Sequence, residues 1–179
     1  MTRLKICGLR EVRHARAAAD AGADFLGFVF VHGVRRQLSE SEGRRVIEEY
    51  RDSQGSRGPK VVGLFANQPL AEVNRIAEAC GLEMAQLCGD EPPEYWDQVD
   101  VPVIRQIKVR DGADPIQTTE HVVDVVTRGH LAQLDSHQSG SLGGTGRTFD
   151  WSIARAVAER HDFLLAGGLD PDNVGDAIE

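Results

Sequence analysis

At 179 residues, with 41% hydrophobic and 27% charged residues, the chain has the size and composition of one ordinary globular domain. Its net charge of −8 argues against general affinity for nucleic acid or membrane, but not against a small anionic ligand held by a local cluster of donors. Three cysteines without C-x-x-C spacing and six scattered histidines suggest neither a disulfide framework nor a metal site. The opening MTRLKICGLR is broken by Lys5, so no signal peptide is expected in it, and no run approaches the ~20 apolar residues that span a bilayer. A reducing cytoplasm is the expected location.

In chain order, apolar or β-branched runs predict strands at 3–7, 25–30, 61–66, 84–87, 103–108, 130–134 and 163–166. Amphipathic stretches between them predict helices at 12–21, 40–51, 70–80, around 93–98, 114–126, 151–160 and 171–178. Several carry start signals. Ser39 with Glu42 three residues on forms a capping box, while Asp150 and Asp170 precede Trp151 and Pro171. Gly22 and Gly81 follow helices where a left-handed residue is expected.

Strands alternating with helices imply repeated βαβ units around a parallel sheet, either a doubly wound open sheet or a closed TIM (β/α)₈ barrel. The first strand is not followed by G-x-G-x-x-G, which speaks against a dinucleotide-binding sheet. Polar residues instead recur at or just after strand ends, at Cys7, Arg36, Asn67, Gln86, Asp135 and Gly167, the position of a barrel's active site. Strand alternation places Cys7 with Lys5, Gln133 with Asp135, Gln86 with Cys88, and Val103 with Arg105 and Ile107. These sets predict a polar interior crowned by a thiol and a carboxylate.

Each candidate alone has a structural explanation. Free cysteine is usually a buried, inert residue, although Lys5 on the same face would favour a thiolate. Asp135 can simply cap a turn. Cys80 and Cys88 read as structural. The loop from Asp135 to Phe149 is long, since connections in such domains usually run about 2–6 residues and longer ones tend to be functional. It carries Gly143-Gly144-Thr145-Gly146. The turn Ala166-Gly167-Gly168-Leu169 joins a strand to a capped segment, where bare N–H groups can cradle a phosphate.

Taken together, KICGLR, GFVF at 27–30, VGLFAN at 62–67, QLCGDE at 86–91, LDS…GGTGRTFDW at 134–151 and LAGGLDPDNV at 165–174 resemble the phosphoribosylanthranilate isomerase family of tryptophan biosynthesis. The resemblance implies a (β/α)₈ barrel and an Amadori rearrangement of a small sugar phosphate. It implies no cofactor and no metal, and a monomer or homodimer as the working form. Mapped by motif, Cys7 corresponds to the general base and Asp135 to the general acid. Arg36 corresponds to the arginine that meets the anthranilate carboxylate, and Gly167 and Gly168 to the phosphate-binding turn. Gln86, Gly144 and Gly146 are expected at the substrate, the last two in a flap that shields the ring-opened intermediate.

Three departures stand out. Cys88 occupies a position where the family usually has histidine, and Arg35 one where it has proline. The chain also stops inside the segment after the seventh strand, so residues 1–179 are expected to form a single domain with seven of eight βα units. Two alternatives remain open at this point. One is an inactive or split barrel remnant that needs a partner chain. The other is a related sugar-phosphate barrel enzyme, such as the histidine-pathway isomerase or indole-glycerol-phosphate synthase.

Overall fold

Seven short strands alternate with helices in a computed structural model that describes residues 2–54, 58–110, 112–136 and 148–178. Backbone contacts divide the chain into two units, Met1–Val103 and Ile104–Glu179. The first contains β1 (Lys5–Cys7), α1 (Val12–Asp20), β2 (Phe25–Val29), α2 (Glu40–Gln54), β3 (Lys60–Phe65), α3 (Leu70–Cys80), β4 (Met84–Leu87) and α4 (Pro93–Trp96). Its strands pair in chain order, β1 to β2 to β3 to β4. The second contains β5 (Val103–Val109, beginning at the boundary), α5 (Pro115–Thr127), β6 (Leu131–Ser136), α6 (Trp151–Ala158) and β7 (Phe163–Leu165), with β5 paired to β6 and β6 to β7.

Parallel strands need a crossover, and each crossover here runs through a helix, against which one face of each unit's strands is buried. All five residues of β2 are buried. On one face of the first unit, Leu26, Phe28, Val61, Phe65 and Leu87 form the core with the buried α3 residues Val73, Ile76 and Ala77. Phe30 and Phe65 stack at 5.6 Å between ring centroids. The second unit is built the same way from Ile107, Val109, Ala132 and Leu134 with Val122, Val125, Ile153 and Val157.

The capping signals are realised atom for atom. The Ser39 N–H donates to Glu42 Oε2 at 2.7 Å and the Glu42 N–H returns to Ser39 Oγ at 3.2 Å, closing the capping box of α2. Asp150 Oδ1 accepts from the Ser152 N–H at 2.9 Å to start α6. Gly81 ends α3 in the left-handed conformation, with φ at +59°.

One expected helix does not form. Residues 171–178 adopt turns, although Asp170 still accepts from the N–H groups of Asp172 and Asn173 at 2.9 and 3.0 Å. The reason is packing. A helix this short needs an apolar face to bury, and Val174 and Ile178 are exposed.

Leu26 is fully buried. Leu26→Ala is therefore expected to destabilise the protein by about 2–5 kcal/mol through the cavity it leaves, measured by urea unfolding. A loss well under that range would mean that this face of β2 is not core.

Candidate active site

The pairing register decides which side chains share a face. In the first unit Lys5 pairs with Phe25, Cys7 with Gly27, Gly27 with Val62 and Leu64 with Gln86. Lys5, Cys7 and Gln86 thus lie on one face, as strand alternation predicts. Cys7 is half-buried at the end of β1. Its space is made by Gly27, where a Cβ would lie 2.9 Å from Cys7 Sγ and 3.2 Å from Leu64 Cδ1. No larger residue fits beside this thiol without moving it.

Arg36 is brought to the same strand end. Its Nη1 donates to the Cys7 carbonyl at 3.3 Å. Gly8, at φ +83°, leaves room for that side chain, because a Cβ there would meet Arg36 Cδ at 2.6 Å. The segment carrying Arg35 and Arg36 is held from both sides. The Leu38 N–H donates to the Val29 carbonyl at 2.8 Å, and the Gly33 N–H donates to Gln37 Oε1 at 2.8 Å. With this support, the exposed Arg35 leaves Arg36 in contact with the strand end.

Gln86 is buried, and its Nε2 donates to Cys88 Sγ at 3.4 Å. Burial pushes the Cys88 thiol up to about 12, with the Gln86 hydrogen bond and Lys5 opposing and Cys7 adding to the rise. Cys88 therefore stays a neutral thiol at neutral pH. Burial likewise raises Cys80 to about 11. Asn67, in the left-handed region at φ +57°, welds two loops together. Its N–H donates to buried Glu91 Oε1 at 2.7 Å, and its Oδ1 accepts from the Asp90 N–H at 2.7 Å.

In the second unit Gln106 pairs with Gln133 and Lys108 with Asp135. These four polar side chains therefore share a face. Asp135 is half-buried, inside β6 rather than beyond its end. Gln106 Nε2 donates to Asp135 Oδ2 at 2.5 Å. The expectation that Arg105 joins the polar interior is corrected: Arg105 pairs with Ala132, on the opposite face. Its charge suggested the polar set, but the odd-numbered positions of β5 are otherwise Val103, Ile107 and Val109. The polar residues that sequence reasoning missed, Gln106 and Lys108, were detectable as an i, i+2 pair matching Gln133 and Asp135.

Gly167 and Gly168 follow β7 with φ at +92° and +68°. A Cβ on Gly167 would lie 2.5 Å from the Ser136 nitrogen and 2.8 Å from Asp135 Oδ1, so the turn packs directly on the carboxylate. Asn173 Nδ2 donates to the Gly168 carbonyl at 2.8 Å and fixes the turn. Among the described residues, the N–H groups of Gly167 and Gly168 have no acceptor. Gly144 and Gly146 lie outside the described residues.

Repeated parallel βα units, with a thiol on β1 of the first and a carboxylate on β6 and a glycine turn after β7 in the second, are those of an α/β protein of the parallel βα class. The particular family follows from comparison. The family model for N-(5′-phosphoribosyl)anthranilate (PRA) isomerase matches residues 4–179, and the chain belongs to that family. It is 40% identical to N-(5′-phosphoribosyl)anthranilate isomerase of Dehalococcoides mccartyi, over 97% of this chain and 80% of that protein. The solved phosphoribosyl anthranilate isomerase of Thermotoga maritima superposes with a TM-score of 0.82 at 30% identity, over 99% of this chain and 82% of the other. A phosphoribosyl anthranilate isomerase in complex with reduced 1-(o-carboxyphenylamino)-1-deoxyribulose 5-phosphate superposes with a TM-score of 0.79 at 29% identity, over 99% and 81%. Family membership sets aside the histidine-pathway isomerase and indole-glycerol-phosphate synthase readings.

Exposure and protonation together predict thiol reactivity, since the thiolate is the nucleophile. Iodoacetamide at about pH 8 is expected to label Cys7 in the folded protein and spare Cys80 and Cys88. Gly27→Ala should slow that labelling severalfold by crowding the thiol. Peptide mass spectrometry reads both, and comparable labelling of Cys88 would contradict the burial described above.

Proposed function

We propose that the chain catalyses the Amadori rearrangement of N-(5′-phosphoribosyl)anthranilate to 1-(o-carboxyphenylamino)-1-deoxyribulose 5-phosphate. The observation that carries this reading is the family match along residues 4–179; Cys7 lies on β1 and Asp135 on β6. The seven strands are taken as the first seven of an eight-stranded barrel, consistent with a match that covers 80% of a longer relative.

The reaction needs an acid and a base. Asp135 gives a proton to the ribose ring oxygen as the C1′–O bond breaks, and the anthranilate nitrogen lone pair forms the C1′ iminium. The Cys7 thiolate then takes the C2′ proton, and the electron pair moves toward the iminium to give an enolamine. Protonation at C1′ and loss of the C2′ hydroxyl proton leave the ketone. Atoms and oxidation state balance within the substrate, so the iminium itself serves as the electron sink.

The remaining residues bind. Arg36 presents a guanidinium fork suited to a planar carboxylate. The acceptor-free N–H groups of Gly167 and Gly168 suit a phosphate. Gln86 stands behind the surface through its bond to Cys88, and Gly144 and Gly146 belong to the segment assigned as a flap. Lys5 lies on the same face of β1 as Cys7.

Cys7→Ala and Asp135→Asn should each lower turnover by at least about 10²–10⁴-fold, the usual contribution of a positioned acid or base. Circular dichroism should show both folded. Near-normal turnover by either folded variant would remove that residue from its role.

A further inference from the structure

Gln106 lies outside the roles above, yet its place is unusual. It is a buried amide on the inner-facing parity of β5, and the one side-chain hydrogen bond it makes among the described residues is to Asp135 Oδ2. Its Oε1 has no partner among the described residues, and neither has Oε1 of its register neighbour Gln133. A buried carbonyl without a donor is costly, and an apolar side chain of the same size would fill the space without that cost. What the amide supplies is the N–H aimed at Asp135.

Gln106 engages Asp135 Oδ2, and the carboxyl also lies against the Gly167 turn, where a Cβ would sit 2.8 Å from Oδ1. We propose that Gln106 is a positioning residue for Asp135, fixing the orientation in which its carboxyl delivers the proton to the substrate. The inference rests on the acid role given to Asp135 above. The Gln106 N–H also meets the negative charge that develops on the carboxyl as the proton leaves, so the bond strengthens along the reaction. Lys108, register-paired with Asp135, lies on the same face.

The test uses the intact chain with Gln106→Leu, which removes the donor, and Gln106→Glu, which keeps the shape and replaces the donor with an acceptor. Each should lower kcat about 10–100-fold, as loss of a hydrogen bond to a charged group implies, with KM changed less than about 3-fold. In parallel, the Asp135 carboxyl resonance, followed by carbon NMR, should titrate at higher pH in both variants than in the unaltered protein. A purely structural Gln106 would move stability without moving that titration. Asp135→Asn separates the two claims. If Asp135→Asn turns over normally, the acid assignment falls and this inference with it. If Asp135→Asn is inactive while both folded Gln106 variants keep kcat and titration unchanged, Gln106 alone loses its role. Should Gln106→Leu fail to fold, Gln106→Glu decides.

Discussion

Strand parity in the parallel ladder is the constraint on which every functional placement in this chain depends. Register-paired residues in a parallel sheet point to the same face, so one polar residue on a strand fixes the company that its neighbours keep. Lys5, Cys7 and Gln86 share a face because Cys7 pairs with Gly27 and Leu64 with Gln86. Gln106, Lys108, Gln133 and Asp135 share one because β5 and β6 pair without a bulge. A slip of one residue in either ladder would turn the thiol or the carboxylate into the core. The buried opposite faces, rich in Leu, Ile, Val and Phe, are what forbid that slip.

Within this frame, missing side chains matter as much as present ones. Gly27 leaves the volume that Cys7 Sγ occupies, Gly8 the volume under Arg36, and Gly167 the volume beside Asp135 Oδ1. Gly8 and Gly167 also carry positive φ, so a side chain there would be strained as well as crowded. Cys7, Arg36 and Asp135 therefore each sit against a glycine. Asp135 has a further support in Gln106, bonded at 2.5 Å. Cys88 shows the opposite arrangement. Buried and bonded to Gln86, it is held as a neutral thiol, whereas Cys7 is only half-buried.

Much of this was legible in the sequence because it is local. Helix starts at Ser39 and Asp150, the left-handed stop at Gly81 and the bounds of α3 and β4 depend on residues within one turn of each other. The grouping of Cys7 with Lys5 and of Asp135 with Gln133 needs only the period of a strand. What the sequence did not disclose depends on partners distant along the chain. Arg105 was placed in the polar interior on its charge, whereas the register with Ala132 assigns that face to Gln106 and Lys108. The helix expected at 171–178 had its cap but lacked a surface to bury Val174 and Ile178. The fit of Gly27 around the thiol, and the bond from Gln106 to Asp135, join residues 20 or more positions apart, which no local pattern encodes.

The central claim is that a cysteine base and an aspartic acid carry out an aldose-to-ketose rearrangement without external reductant or oxidant. It is tested most directly by adding the purified chain to N-(5′-phosphoribosyl)anthranilate in deuterated water and following substrate fluorescence and product mass. The account predicts loss of fluorescence and formation of 1-(o-carboxyphenylamino)-1-deoxyribulose 5-phosphate carrying solvent deuterium at C1′, where the enolamine is protonated. Folded protein that leaves the fluorescence unchanged would contradict it.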